Sequence, residues 1–308
     1  MNRRDRLKVV RTKHQPGPGT MPEPLLRALD MDVRRRVDGL LSGDFRSVLL
    51  GGGTELAQVR TYVPGDDVRL IEWNVTARTN ETHVRVHHAD QALTTWLVLD
   101  DSPSMAFGTA DRRKADVAEG VSLAVAHIAT RRANRLGVMT FGGATLEMTR
   151  PSQGRAGLLS LLLTLRRRGP TSADGVGLAA ALQKAEATMR SRSAIFVVSD
   201  FRGGLDWARS LGRLAHRNDV FAIEIVDPRE QRLVDIGDVY LADPETGRQV
   251  RVDTRDRVLR ERFEREARRE REEVRKAMRR AGAHHVTLST AGDWLRILAA
   301  FLTSRRRA

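Results

Sequence analysis

The apolar run Trp96-Leu97-Val98-Leu99 ends directly in Asp100-Asp101-Ser102-Pro103-Ser104-Met105, and this join constrains the fold more than any other stretch. Consecutive apolar residues fit a strand covered on both faces, and such strands belong to parallel sheets flanked by helices. The pattern downstream agrees. Strand-like runs at 93–99, 136–141, 145–148, 194–200, 220–226 and 285–288 are interleaved with helical periods at 113–131, 154–167, 177–189, 204–216 and 291–303. That rhythm predicts an α/β architecture with a doubly wound, mostly parallel sheet of Rossmann type. Gly142-Gly143 between the second and third runs predicts a hairpin turn.

Around this core the chain divides by composition. Residues 1–20 are polar and basic and end in Pro16-Gly17-Pro18-Gly19, which reads as a disordered basic arm. Residues 21–92 read as an N-terminal helix at 24–41, with Leu25, Leu29, Val33 and Val37 in helical period, followed by a small antiparallel β region. Within that region Pro64-Gly65 fits a type II turn, and Arg60, Arg69 and Arg78 offer partners to Asp66 and Asp67. Residues 93–308 form the main domain, interrupted by an insertion at about 228–281. The insertion reads as a hairpin (239–241 with 249–252) and a long helix, 254–281, whose outward face is nearly all Arg and Glu. Glu261 and Arg265 are favourably spaced on it, Glu266 and Glu270 unfavourably.

The absence of cysteine removes disulfides, thiolate metal sites and a Cys nucleophile. No spacing among the eight His residues resembles a zinc site. No apolar run approaches the roughly 20 residues that span a bilayer, and the basic N-terminus lacks the apolar segment of a secretory signal, so a cytoplasmic protein is expected. The net charge of +14 is carried by arginine, with Lys8, Lys13, Lys114, Lys184 and Lys276 the only lysines. Basic termini can bind nucleic acid. No nucleic-acid module accompanies them, and a GC-rich genome produces the same arginine bias, so nucleic acid is not the expected partner.

In an open α/β sheet, ligands bind beyond the carboxyl ends of the strands. Asp100, Ser102 and Ser104 end one apolar strand, and Asp200 ends another on the same edge. Two carboxylates and two hydroxyls are hard oxygen donors, the set that suits Mg²⁺, with Mn²⁺ or Ca²⁺ as alternatives. The competing reading is a polar turn capping the next helix, with Asp200 a helix cap of its own.

Asp100-x-Ser102-x-Ser104 with a later strand-end Asp200 resembles the metal-ion-dependent adhesion site of von Willebrand factor A domains. The block Arg60-Thr61-Tyr62-Val63-Pro64-Gly65-Asp66-Asp67-Val68-Arg69-Leu70-Ile71-Glu72-Trp73 resembles the signature of the bacterial family called domain of unknown function 58, whose members accompany MoxR-type AAA+ ATPases. The resemblance implies strand order 3-2-1-4-5-6. It also implies a non-enzymatic adaptor that engages a partner's acidic residue through the metal, with a MoxR-type ATPase as partner. Two positions depart: Glu72 stands where the family more often has Asp, while Val176 falls where such domains supply a threonine to the metal shell, and valine has no oxygen to offer. Thr171, Ser172 and Asp174 are the substitutes within reach in sequence. A second expectation is a Mg²⁺-dependent hydrolase using Asp100; against it, the chain offers no nearby His or Lys to act as general base.

Overall fold

The computed structural model describes Arg36 and residues 58–86, 94–130, 134–167 and 175–304. The basic arm, most of the helix expected at 24–41, and Thr171, Ser172 and Asp174 lie outside the described residues.

β1 (Gln58–Thr61) and β2 (His83–Val86) pair antiparallel as a two-stranded sheet. Between them stands a helix the sequence reading did not anticipate, α1 (Trp73–Thr79). It closes where Asn80 takes a left-handed conformation (φ 58°), a residue type that tolerates that geometry. The type II turn forms as expected: Asp66 N–H donates to Val63 O at 3.0 Å, with Gly65 at φ +111°. Of the three arginines offered to this turn, Arg60 grips Asp66 with two bonds of 2.8 and 2.6 Å. Asp67 instead accepts the Arg69 backbone N–H, and Arg78 donates to Asn74 O.

The main body follows in chain order as β3 (Thr94–Asp100), α2 (Lys114–Thr130), β4 (Arg135–Phe141), β5 (Glu147–Met148), β6 (Ser152–Gln153), α3 (Gly154–Arg166), α4 (Leu178–Thr188), β7 (Ser193–Ser199), α5 (Trp207–Arg217) and β8 (Asp219–Val226). A separate hairpin comes next, β9 (Asp238–Ala242) with β10 (Gln249–Asp253), then α6 (Arg257–Ala281), β11 (His284–Ser289) and α7 (Trp294–Ser304).

The central sheet runs β11-β8-β7-β3-β4-β5, with β6 also paired to β4. β3, β4, β7, β8 and β11 are mutually parallel, while β5 and β6 run antiparallel to β4. Counted along the chain with the short β6 set aside, the order is 3-2-1-4-5-6, as expected. The chain therefore winds outward from β3 through β4, returns, and winds the other way from β7.

Each parallel strand feeds both faces, because successive side chains alternate. Leu97 and Leu99 pack with Val121 of α2, Leu161 of α3 and Leu298 of α7. Trp96 and Val98 pack on the opposite face with Leu182 of α4, Leu211 of α5 and Met278 of α6. The last turns of α6 are thus the crossover that a parallel β8–β11 pair requires. The hairpin and the solvent-facing length of α6 are what is added to that plan. No helix among the described residues is long and apolar enough to cross a membrane.

Candidate functional site

β3 and β7 are sheet neighbours, so Asp100 at the end of one and Asp200 just beyond the other stand at one edge, where the winding reverses. Such a crevice is where open α/β sheets bind ligands. Both side chains lie deep: Asp100 is 4% exposed and Asp200 6%. Asp100 Oδ1 accepts the Ser102 backbone N–H at 2.9 Å, and Oδ2 accepts the Ser199 hydroxyl at 2.5 Å. Ser199 is the last residue of β7, and its Oγ also accepts the Phe201 N–H at 3.0 Å, so one hydroxyl ties the two strand ends together. The hydroxyls of Ser102 and Ser104 approach each other to 3.0 Å.

The loop is shaped locally. Ser102 precedes a 3₁₀ turn, Pro103–Ala106, which begins on proline because that position needs no N–H and favours a fixed φ. From the next strand end, Gly142 closes against the loop at φ +90°. A Cβ there would overlap Ser102 N and stand 2.8 Å from Asp101 C, so the glycine of the predicted hairpin also seats the site. Val176 meets the same corner through its backbone: its N–H donates to Gly143 O and its carbonyl accepts from Gly142 N, both at 2.9 Å.

Lys114 changes the electrostatics. Its side chain is fully buried at the start of α2, and Nζ donates to Asp200 Oδ2 at 2.6 Å and to Glu230 Oε1 at 2.7 Å. The expectation that no lysine stands near the site is therefore wrong. Lys114 is 86 residues from Asp200 in sequence, and the fold brings them together. Arg202 donates its N–H to Asp200 Oδ1 at 3.2 Å and its guanidinium to Glu230 at 3.1 Å. Asp200 thus has a counter-charge, whereas Asp100 has hydroxyl and amide donors only. Burial, then the neighbouring Asp200 charge, pushes the Asp100 carboxyl up to about 7, against the pull of its bonds from Ser102 and Ser199.

Ser199, Lys114, Glu230 and Glu245 are site residues that the sequence reading missed. Glu245, from the turn of the β9–β10 hairpin, accepts the Ser104 backbone N–H at 3.0 Å. Two of the four had a signal. Lys114 is one of five lysines in a chain with 53 basic residues, so a lysine inside an apolar helix is conspicuous. Asp227-Pro228-Arg229-Glu230 follows a strand and forms the capping box its spacing suggests, which turns Glu230 inward.

The four expected donors suit a hard divalent cation in chemistry. Asp100, Ser102, Ser104 and Asp200 offer oxygen only, and two adjoining buried carboxylates, one without a cationic partner, favour a positive charge between them. Among the described residues, no group of three or more His, Cys, Asp or Glu side chains is placed to hold a metal ion.

A family model described as "Protein of unknown function DUF58" matches residues 58–273. An uncharacterized protein of Mycobacterium tuberculosis is 40% identical over 284 residues, spanning 92% of this chain and 89% of its own length. An uncharacterized protein of Mycobacterium bovis matches to the same extent. Among solved structures, the conserved hypothetical protein BatB of Bacteroides thetaiotaomicron is similar over 70% of this chain and 100% of its own, with TM-score 0.44 and 14% identity. An aerotolerance-related membrane protein of Bacteroides fragilis covers 69% and 97% at TM-score 0.41, with 14% identity. The fold rests on this chain's own strand order. By the family match and by relatives at 40% identity over nearly its full length, the chain belongs to the DUF58 family.

Proposed function

We propose that this protein is a non-enzymatic adaptor of von Willebrand factor A type. In this reading Asp100, Ser102, Ser104 and Asp200 hold a divalent cation, Mg²⁺ by donor chemistry, and an acidic side chain of a protein partner completes the site. A MoxR-type AAA+ ATPase in the cytoplasm is the partner this reading names. The observation that carries it is the meeting, at the reversal point of a 3-2-1-4-5-6 sheet, of two buried strand-end carboxylates with two hydroxyls 3.0 Å apart. A bound cation supplies an open coordination position for a carboxylate. The chain's own residues do the rest: Ser199 and the Ser102 amide aim Asp100, Lys114 balances Asp200, and Gly142 holds the loop.

Binding rather than turnover is favoured by the setting of Lys114. Its ammonium is enclosed by two carboxylates at 2.6 and 2.7 Å, which makes it a counter-charge and not a base. The test is Mn²⁺ titration of the purified protein, followed by capture of a purified MoxR-type ATPase with and without Mg²⁺. The parent is expected to bind Mn²⁺ and the ATPase, and Asp100→Ala to lose both while keeping its circular dichroism. If Asp100→Ala captures the ATPase as the parent does, the metal-mediated reading is wrong. Mg²⁺-dependent hydrolysis of p-nitrophenyl phosphate that disappears in Asp100→Asn would establish the hydrolase instead.

A further inference from the structure

The β9–β10 hairpin is rooted at its base and reaches the site at its tip. At the base, buried Thr254 donates its hydroxyl and its N–H to Gly237 O at 2.7 and 2.9 Å and accepts the Ile236 N–H at 3.0 Å. Along 241–250 every residue is exposed except Glu245. That one side chain lies against the Asp-x-Ser-x-Ser loop, its Oε1 on the Ser104 N–H, across 141 residues of sequence. The turn is built to present it. Asp243 accepts the Glu245 N–H at 3.0 Å and the Thr246 hydroxyl at 2.6 Å, and Gly247, at φ +68°, donates its N–H to Asp243 O at 2.8 Å.

A third carboxylate brought to an edge that already holds Asp100 and Asp200 adds negative charge where Lys114 and Arg202 are already engaged with Asp200 and Glu230, and a bound cation offsets it. We propose that Glu245 is a site residue supplied in cis: the hairpin docks its carboxylate beside the cation site as a further oxygen donor of this chain, and the open position is left to the partner's acidic side chain. This inference rests on the proposed cation site. Docking and cation binding are then coupled, and coupling is reciprocal: the cation tightens the hairpin, and the hairpin tightens the cation.

Two measurements on the full chain test it, with the metal alone as probe. Mn²⁺ affinity is compared among the parent, Glu245→Gln and Asp100→Asn, and hydrogen exchange over 238–253 is followed with and without Mg²⁺. Glu245→Gln is expected to weaken Mn²⁺ by about 5-fold or more, the lower end of ordinary couplings. Mg²⁺ is expected to slow exchange in the parent hairpin and not in Glu245→Gln. A parent that binds Mn²⁺, with Glu245→Gln equal to it and the hairpin indifferent to Mg²⁺, overturns this inference and leaves the cation site standing. A parent that binds no Mn²⁺ overturns both.

Discussion

Gly142 and Lys114 carry more of the site than their positions outside the Asp-x-Ser-x-Ser motif suggest. Gly142 combines a left-handed φ with direct contact on the site loop. Gly142→Ala is expected to cost about 2 kcal/mol or more, from backbone strain and displacement of Ser102, read as a fall in the urea midpoint. Lys114→Met leaves Asp200 and Glu230 buried without their cation, and breaking a buried pair costs about 3–5 kcal/mol. A variant as stable as the parent would mean that Lys114 is not what offsets the charge of the two acids. Asp100 sets a pH dependence. Burial and Asp200 raise its folded pKa to about 7, above an unfolded value of about 3.9. The folded chain therefore holds the proton more tightly, and the stabilisation is complete below about pH 4 and lost as pH rises through about 7. Without metal, the stability of the parent relative to Asp100→Asn is expected to fall between about pH 4 and about pH 7 and to level off above that. Comparison with that variant cancels the opposite trend from Asp227. Burial works against the charge of Asp227, but its bonds from Thr109 and Thr290 hold its pKa below the usual range.

Among the helices, α6 shows how a charged element is fastened. Arg and Glu dominate its surface, and its pairs Arg257–Glu261, Glu264–Arg268 and Arg269–Glu273 follow the i, i+4 spacing. Glu261 pairs with Arg257 and not with the Arg265 expected from the sequence. Exposed pairs of this kind contribute little, because water and salt screen them and long side chains lose entropy in making them. The buried anchors are Val274, Ala277 and Met278 near its C-terminal end, where Gly282 closes the helix at φ 72°. Met278→Ala is expected to cost about 2–5 kcal/mol in chemical denaturation, the ordinary range for emptying a fully buried site. Arg257→Ala is expected to leave the denaturation midpoint unchanged. The α6 surface also meets the site edge, where Arg202 lies 3.8 Å from Glu270 as well as 3.1 Å from Glu230.

Across the chain as a whole, the two cores on either side of the sheet make the strand-end edge a rigid platform. A cation that binds only the folded form stabilises it by mass action. Mg²⁺ at about 100 times its Kd is expected to add roughly 2.7 kcal/mol, seen as a saturable rise in Tm that Asp100→Ala abolishes. A rise that persists in Asp100→Ala would assign the effect to some other site.

Local sequence was enough for the alternation of strands and helices, the Gly142-Gly143 hairpin, the type II turn and the placement of Asp100, Ser102, Ser104 and Asp200 at strand ends. Hydrophobic period, turn chemistry and caps act over a few residues, so they are written in the local sequence. α1 escaped notice because it is short and has no buried face to impose a period. The partners of the site residues were decided only in three dimensions. Lys114 and Asp200 are 86 residues apart, Asp100 and Ser199 99, Lys114 and Glu230 116, and Ser104 and Glu245 141. Each of those meetings depends on strand order and on the rooting of a hairpin, which follow from how the two apolar faces close over the sheet. Periodicity determines which face of an element is apolar, whereas packing decides which polar ends then share an edge.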